Sequence, residues 1–130
     1  MATIKRFEDL DVWQQARDLN IKIMPLLKKL NEERNYDLKS QLDRSAGSVM
    51  DNISEGFERD GNREFIPFLA ISKGSLGEVR SQLYRSLDRS LLEKEAHDLL
   101  QEDCLLLAGK LGKFISYLNN TEYKGTKFKK

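Results

Sequence analysis

The sequence predicts an all-α protein, an up-down-up-down antiparallel four-helix bundle. Apolar residues recur at steps of three and four along four separate stretches, which is the spacing of one helical face. Short polar connections separate these stretches, and none of them shows the alternation of a β-strand. The chain has 130 residues, enough for one domain that buries about two-thirds of its unfolded surface. A single bundle without stabilising metal or disulfide is therefore expected.

The first helix is predicted at about residues 11–30, after an N-terminal lead-in at residues 1–10. Phe7 and Leu10 are expected to fix this lead-in against the bundle, and Asp11 is expected to cap the helix. Pro25 lies well inside the helix, where a missing N–H donor and a ring clash are expected to bend it. The first helix should therefore be amphipathic and bent.

The second and third helices are predicted at about residues 37–59 and 62–89, with Asp37 capping the second. Gly56 is a position where the second helix could end early. In the connection, Gly61 is suited to a positive φ, and Asn62 is expected to cap the third helix. These two helices therefore form a helical hairpin, which is the central element of the predicted fold.

The fourth helix, at about residues 92–119, carries the strongest amphipathic pattern of the chain. The bundle domain thus spans residues 11–119. Residues 120–130 are rich in lysine and poor in apolar side chains, a composition that does not support packing. We expect them to form a mobile basic tail.

Small and polar residues interrupt the middle of the second and third helices. A mid-helix glycine costs roughly 0.5–1 kcal/mol relative to alanine, so a close approach of these two helices is expected to compensate. Two interpretations remain open: a hydrogen-bonded packing network within the bundle, or a site for a ligand or nucleic acid. The predicted network comprises Asn52, Glu55, Gly74, Ser75, Gly77 and Glu78.

The apolar faces are wider than one four-helix core requires. Five side chains are difficult to place in a single core, and some of them are expected to face another subunit. They are Phe57, Phe65, Phe68, Tyr84 and Leu87. The residue pattern therefore predicts a homo-oligomer.

Composition excludes several classes of protein. Lysine and arginine number 22 against 21 acidic residues, so no overall field attracts nucleic acid or anionic lipid. Cys104 is the only cysteine, which is typical of a reducing compartment and excludes an internal disulfide. The chain shows neither a signal peptide nor an apolar run long enough for a membrane span. A cytoplasmic protein without membrane association is expected.

The sequence offers no catalytic constellation. His97, the only histidine, lacks the partner spacing of a di-iron bundle and is expected to form an exposed pair with Glu93. The glycine spacing at residues 56–61 lacks the lysine and hydroxyl residue that hold phosphate and magnesium. Cys104 lies on an apolar helix face, where a thiol behaves as a small hydrophobe. We predict no catalytic residue, metal or cofactor, and no enzyme.

Basic side chains of the central hairpin are the remaining functional candidates. As exposed cations repeated around an oligomer, they would bind phosphates of nucleic acid. Alternatively, they are solvated or pair with nearby acidic residues such as Asp43, Glu78 and Asp88. The nucleic-acid-binding candidates are Arg44, Arg59, Arg63, Lys73, Arg80, Arg85 and Arg89.

Several motifs resemble one protein family. The chain looks like the four-helix-bundle proteins encoded in intervening sequences of bacterial 23S ribosomal RNA genes, also called S23 ribosomal protein-like. The accessory variability proteins of diversity-generating retroelements are similar in fold. The resemblance covers about residues 7–118 and is carried by FEDLDVW at 7–13, QLDRSA at 41–46, NISEG at 52–56, EF at 64–65, FL at 68–69, GSL at 74–76 and QL at 82–83.

This resemblance implies a homopentameric ring with a central channel, a non-enzymatic role, and association with structured RNA or with a reverse transcriptase. Our leading hypothesis is a cytoplasmic, oligomeric, RNA-associated scaffold. The alternative is a protein-protein adaptor that binds a partner polypeptide without contacting nucleic acid, and an enzyme is a distant third.

Overall fold

The computed structural model describes residues 4–121. A short 3₁₀ turn, Phe7–Asp9, precedes four long helices: α1 at Asp11–Glu32, α2 at Tyr36–Phe57, α3 at Asn62–Asp88 and α4 at Lys94–Asn119. Within these residues there is no β-strand. The all-α class with four helices is therefore confirmed.

The helices follow one another around a common core. Each long helix packs against its neighbours in sequence, and α1 also packs against α4. Helices in diagonal positions make no comparable contact within the described residues. This arrangement is consistent with a four-helix bundle, and α2 with α3 forms its most extensive helix pair.

Three helix ends differ by two residues from the expected bounds, the first being that of α1, which ends at Glu32 and not at about residue 30. The second helix ends at Phe57, two residues earlier than expected, and the fourth begins at Lys94, two residues later. Leu91 and Leu92 are half-buried outside the helix and pack against the core. Glu93 then adopts an extended conformation as the N-cap of α4. Apolar side chains thus pack within the connection itself, and the helix begins only after them.

The N-caps of α1, α2 and α3 are not the residues that were expected. Asp11 is the first residue of α1 after the N-cap Leu10, and Asn35 occupies the N-cap of α2 ahead of Asp37. Gly61 is the N-cap of α3 and has a φ of 83°, which confirms the conformation expected for this glycine. Asn62 is buried, and its Nδ2 donates to the carbonyl oxygen of Leu118 at 3.2 Å. Its side chain therefore ties the start of α3 to the end of α4.

The core includes two aromatic residues that were expected to be difficult to place. Phe57 and Phe65 are each only 2% exposed and contact each other edge to face, with ring centroids 6.0 Å apart. Phe65 makes a similar contact with Phe114 at 5.5 Å. Phe57 and Phe65 therefore belong to the core of the single chain, and the expectation that some of the five residues face another subunit can apply only to Phe68, Tyr84 and Leu87. Tyr84 remains 48% exposed.

At Gly56 α2 packs tightly against α3, and α2 continues one residue beyond it. A Cβ placed on Gly56 would lie 2.6 Å from Cβ of Phe68 and 2.9 Å from Cδ1 of Phe65. By contrast, a Cβ on Gly74 or Gly77 would meet no atom within 4 Å. The expectation that Gly74 and Gly77 bring the two helices together is therefore wrong, because both face away from α2.

Two further expectations concern the C-terminal tail and the effect of Pro25 on α1. The tail predicted at residues 120–130 lies outside the described residues from position 122 onward. The first helix continues through Pro25 and extends to Glu32. Pro25 is exposed, on the side of α1 that faces α4.

Candidate nucleic-acid interface

A series of side-chain hydrogen bonds connects α2 with α3, and we call these residues the α2–α3 seam. The bonds join residues in antiparallel order, so the start of α2 meets the end of α3. The pairs are Asn35 with Arg89 (3.0 Å), Gln41 with Arg85 (2.8 Å), Ser45 with Gln82 (3.1 Å), Ser48 with Ser75 (2.8 Å) and the Val49 carbonyl with Ser72 (2.6 Å).

The predicted packing network is only partly located in this seam. Ser75 belongs to it, and Asn52 donates from Nδ2 to both the carbonyl oxygen and Oγ of Ser48, each at 2.9 Å. Glu55 is exposed and pairs with Arg59, in the turn that follows α2. Glu78 is also exposed. Hydroxyl, amide and guanidinium groups, and no carboxylate, therefore make the side-chain hydrogen bonds of the seam.

Three of the predicted cations share the outer face of the seam. Arg85 donates to Oε1 of Gln41, and Arg89 donates to Oδ1 of Asn35. Arg44 is exposed beside them and lines the same groove as Gln41. Arg44, Arg85 and Arg89 thus lie along the seam at different heights, with Arg85 beside Gln41 and Arg89 beside Asn35, and we call this surface the α2–α3 face.

The other four cations lie elsewhere. Lys73 and Arg80 line a groove of about 550 Å³ between α3 and α4, where Arg80 donates from Nε to Oε1 of Gln101 at 2.8 Å. Arg59 and Arg63 lie at the turn between α2 and α3. The guanidinium of Arg59 is 5.1 Å from the ring centroid of Phe68. No single stripe therefore contains all seven candidates.

The pairing of these cations with acidic side chains was left open by the sequence. Within residues 4–121, only Arg59 among the seven forms an ion pair, with Glu55 at 3.3 Å. On the α2–α3 face, neutral amide oxygens hold Arg85 and Arg89 instead. An amide oxygen orients a guanidinium without compensating its charge. These positive charges therefore remain available to an anionic partner.

A polar groove opens on this face between α2 and α3. Its volume is about 310 Å³, and we call it the seam groove. Gln82 is 7% exposed there, and its Nε2 donates to Oγ of Ser45. Its Oε1 is buried and accepts no hydrogen bond from any residue between 4 and 121. The residues lining the groove are Gln41, Arg44, Ser45, Ser48, Glu78 and Gln82.

His97 does not form the exposed pair with Glu93 that was expected. It is 2% exposed, and its Nε2 lies 3.1 Å from Nε2 of Gln101. Its ring packs edge to face against Tyr84, with centroids 4.6 Å apart. The histidine is buried because the α3–α4 interface covers it. Within the described part of the chain, no group of three or more potential ligand residues could hold a metal ion.

Cys104 is fully buried in the core, and this burial raises the pKa of its thiol from 9.0 to about 12. Only about one thiol in ten thousand is ionised at pH 8 in the folded protein, so we expect a thiol reagent to react only after unfolding. The unfolded thiol ionises first as the pH rises, so this group should lower the free energy of unfolding above about pH 9. Labelling kinetics with and without denaturant test this expectation, and rapid labelling of the folded protein would contradict it.

Apolar side chains are exposed on the opposite part of the bundle. A mostly apolar groove of about 430 Å³ lies between α1 and α4 and is lined by Pro25, Leu26, Leu99 and others. Met24 and Leu106 are also exposed on these helices. No helix among residues 4–121 has the length and apolar character that a bilayer crossing requires.

Sequence reasoning missed the partners of the cations. Asn35 and Gln41 accept hydrogen bonds from Arg89 and Arg85 and so orient them, yet they were not selected as site residues. A signal was present, because Gln82, Arg85 and Arg89 recur at steps of three and four on one face of α3. What sequence could not show is that the amides of α2 lie opposite them.

Comparisons with known proteins agree with this fold. The family model described as "23S rRNA-intervening sequence protein" matches residues 8–113. The chain is also similar to the crystal structure of a protein with unknown function from the S23 ribosomal protein family of Bacteroides thetaiotaomicron. That match has a TM-score of 0.75 and 23% identity, and covers 80% of this chain and 97% of the other. A comparison with curated proteins gives no significant match.

Proposed function

The chain belongs to the family of 23S rRNA-intervening sequence proteins, and from this premise we propose that it is a non-enzymatic, cytoplasmic scaffold that associates with structured RNA. The family description connects the protein with an RNA gene but gives no binding surface. The α2–α3 face supplies a surface that fits this role.

One observation supports the proposal most strongly: the arginines of the α2–α3 face lack carboxylate partners among residues 4–121. Arg85 and Arg89 are held by amides of α2, so their positions are defined before a ligand arrives. Phosphate oxygens are good acceptors for guanidinium groups, and phosphate contacts provide most of the non-specific affinity for nucleic acids. The chain's near-zero net charge implies that binding depends on this local cluster.

We expect structured RNA to bind with an affinity that falls steeply as salt increases, because each phosphate contact releases counterions. Arg85→Glu should abolish binding at moderate salt, whereas Arg85→Gln should reduce the slope of log affinity against log salt by about one per subunit in contact. Fluorescence anisotropy with a labelled 23S intervening-sequence hairpin measures both. Arg17→Glu on α1 is the matched control, since it makes the same charge change on another helix. Arg80→Glu tests whether the α3–α4 cations contribute.

An unchanged affinity for Arg85→Glu would place the RNA elsewhere on the protein. An RNA that stays unbound by micromolar wild-type protein at low salt would contradict the proposed function. Circular dichroism of each variant checks that the fold is retained.

We further propose that the protein acts as a homo-oligomer, with a pentameric ring as the expected state. Its support is the exposed apolar surface of α1 and α4. Such surfaces are typical of protein contacts. Light scattering should give about five times the 15.1 kDa chain mass; a monomeric mass would contradict this proposal.

The second candidate function is a protein-protein adaptor, for example for a reverse transcriptase. The apolar α1–α4 groove favours it, because such a groove fits an apolar segment of a partner better than it fits phosphate. A partner recovered after nuclease treatment would favour this function. Recovery that depends on intact RNA would favour the scaffold.

A further inference from the structure

We propose that His97 and Gln101 form a proton-sensitive latch that holds the side chain of Arg80 at the wall of the α3–α4 groove, the groove that Lys73 and Arg80 line. Hydrogen bonds join the three residues in a chain, from a buried histidine to a cation of that groove. Protonation of His97 reverses the amide of Gln101 and releases Arg80. This inference goes beyond the proposed function and does not depend on it, because the three side chains are linked whether or not RNA binds.

The orientation of the Gln101 amide is fixed by Arg80. Oε1 of Gln101 accepts from Nε of Arg80 at 2.8 Å, and Nε2 of Gln101 donates to the backbone carbonyl oxygen of Arg80 at 3.0 Å. A guanidinium can only donate and a carbonyl oxygen can only accept. The reversed amide would place two donors together at one contact and two acceptors together at the other. Only one of the two amide orientations is therefore compatible with both contacts.

This orientation determines which nitrogen of His97 carries the proton. The Nε2 of Gln101 lies 3.1 Å from Nε2 of His97, and an amide nitrogen is a donor. The Nε2 of His97 must therefore accept, which leaves the proton of the neutral ring on Nδ1. From there it is donated to Oδ1 of Asp98, 3.3 Å from Nδ1. The contact with Gln101 thus selects the Nδ1–H tautomer of His97.

A second proton on His97 would have to enter at Nε2, where it meets the N–H group of Gln101. Both residues are buried, so solvent does not relieve the contact between two donors. Rotation of the amide brings Oε1 of Gln101 to the protonated ring, but both hydrogen bonds with Arg80 are then lost. The protonated form of His97 and the held form of Arg80 therefore exclude each other.

The charged groups around His97 act in opposite directions. On α4, the carboxylate of Asp98 attracts a positive charge on the ring, and Lys94 pairs with that carboxylate at 2.7 Å. On α3, Arg80 repels such a charge, while Tyr84 packs its ring edge to face against the imidazole. Within residues 4–121, no hydrogen bond or ion pair joins the side chain of His97 to α1 or α2. Asp98 thus compensates part of the charge that a proton adds, so the histidine can titrate despite its burial.

Release of Arg80 changes the charge that the α3–α4 groove presents. Among residues 4–121, Gln101 is the hydrogen-bond partner of the Arg80 side chain, and no ion pair holds it. A released guanidinium can therefore turn toward Lys73, which lines the same groove two turns earlier on α3. Two cations then face the groove together. The groove should accordingly bind anions more tightly when His97 is protonated.

The tautomer of His97 can be measured in the wild-type protein. Long-range ¹H–¹⁵N correlation spectra at about pH 8 should show a protonated Nδ1 and an unprotonated Nε2. The Nε–H signal of Arg80 should be resolved at the same pH, and it should shift or disappear as the ring takes up its second proton. An Nε2–H tautomer at about pH 8, or an Arg80 signal that ignores the titration of His97, overturns the latch.

Two variants distinguish the latch from a general effect of acid. Gln101→Glu replaces the amide by a carboxylate, which accepts from Arg80 and from a protonated His97 at once, so Arg80 should stay held when His97 is charged. His97→Phe keeps an aromatic ring against Tyr84 but takes up no proton, so the Arg80 signal should no longer respond to acid. Loss of the Arg80 signal on acidification in either variant overturns the inference.

Inorganic sulfate tests the consequence for the groove, because its charge does not change over this pH range. Sulfate titrations followed by the side-chain signals of Lys73 and Arg80 should show binding about threefold tighter or more in acid than at about pH 8. In His97→Phe this difference should be absent. Equal affinities in the wild-type protein, or the same difference in His97→Phe, overturn the link between the latch and the groove. RNA that fails to bind at any pH overturns the proposed function and leaves the latch intact.

Discussion

Gly56→Ala is expected to lower the free energy of unfolding by about 2–3 kcal/mol. The added methyl group would lie 2.6 Å from Cβ of Phe68 and 2.9 Å from a ring carbon of Phe65. Cβ of Phe68 is tied to the α3 backbone, so the helices must separate before the methyl group fits. This cost exceeds the gain in helix propensity, which is at most about 1 kcal/mol. Urea unfolding measured by circular dichroism gives the difference.

Gly47→Ala on the same helix is the matched control. A Cβ at Gly47 meets no atom within 4 Å. The substitution therefore changes only the helix propensity, and the free energy of unfolding should rise by about 0.5–1 kcal/mol. The two glycine-to-alanine variants should thus shift the urea concentration at the midpoint of unfolding in opposite directions. Equal effects at both positions would show that α2 and α3 are not in close contact at Gly56.

Phe65→Ala is expected to destabilise the protein by about 3–5 kcal/mol, because it leaves a cavity in the core. The ring of Phe65 is buried and contacts Phe57 and Phe114, so three helices lose packing at once. Since small domains are stable by only about 5–15 kcal/mol, a large fraction of the protein should unfold at moderate temperature. Thermal unfolding measures the loss.

Phe65→Leu separates the aromatic contribution from the volume. Leucine keeps most of the apolar contact area but removes the edge-to-face contacts, and it should cost clearly less than alanine. A Phe65→Ala variant as stable as the wild type would mean that this ring is not part of the core.

The sequence predicted the fold well because the fold depends on repeated local patterns. Leu42, Val49 and Ile53 recur at helical spacing, and all three are buried. Helix ends were less accurate where the deciding contacts are distant in sequence. Asn62 was expected to cap its own helix, but it donates to the carbonyl oxygen of Leu118, 56 positions away.

The sequence identified the basic residues of the candidate site, but not which of them lie on the same surface. Arg44, Arg85 and Arg89 were named from the sequence, yet their grouping depends on how α2 lies beside α3. The glycines show the same limit. Gly74 and Gly77 in mid-helix resemble contact positions, whereas the structure assigns that role to Gly56, near a helix end. A glycine in the sequence shows that two helices could approach closely at that position. Only the packing shows whether they do.

The α2–α3 seam also prevents sliding of one helix along the other. Apolar contacts alone tolerate a shift of one helical turn, about 5.4 Å, because leucine side chains fit many similar grooves. Five directional bonds at staggered heights would all break in such a shift. The distance between the guanidinium groups of Arg85 and Arg89 is therefore set by the packing of the two helices, and a ligand can pair with both only if its anionic groups have that separation.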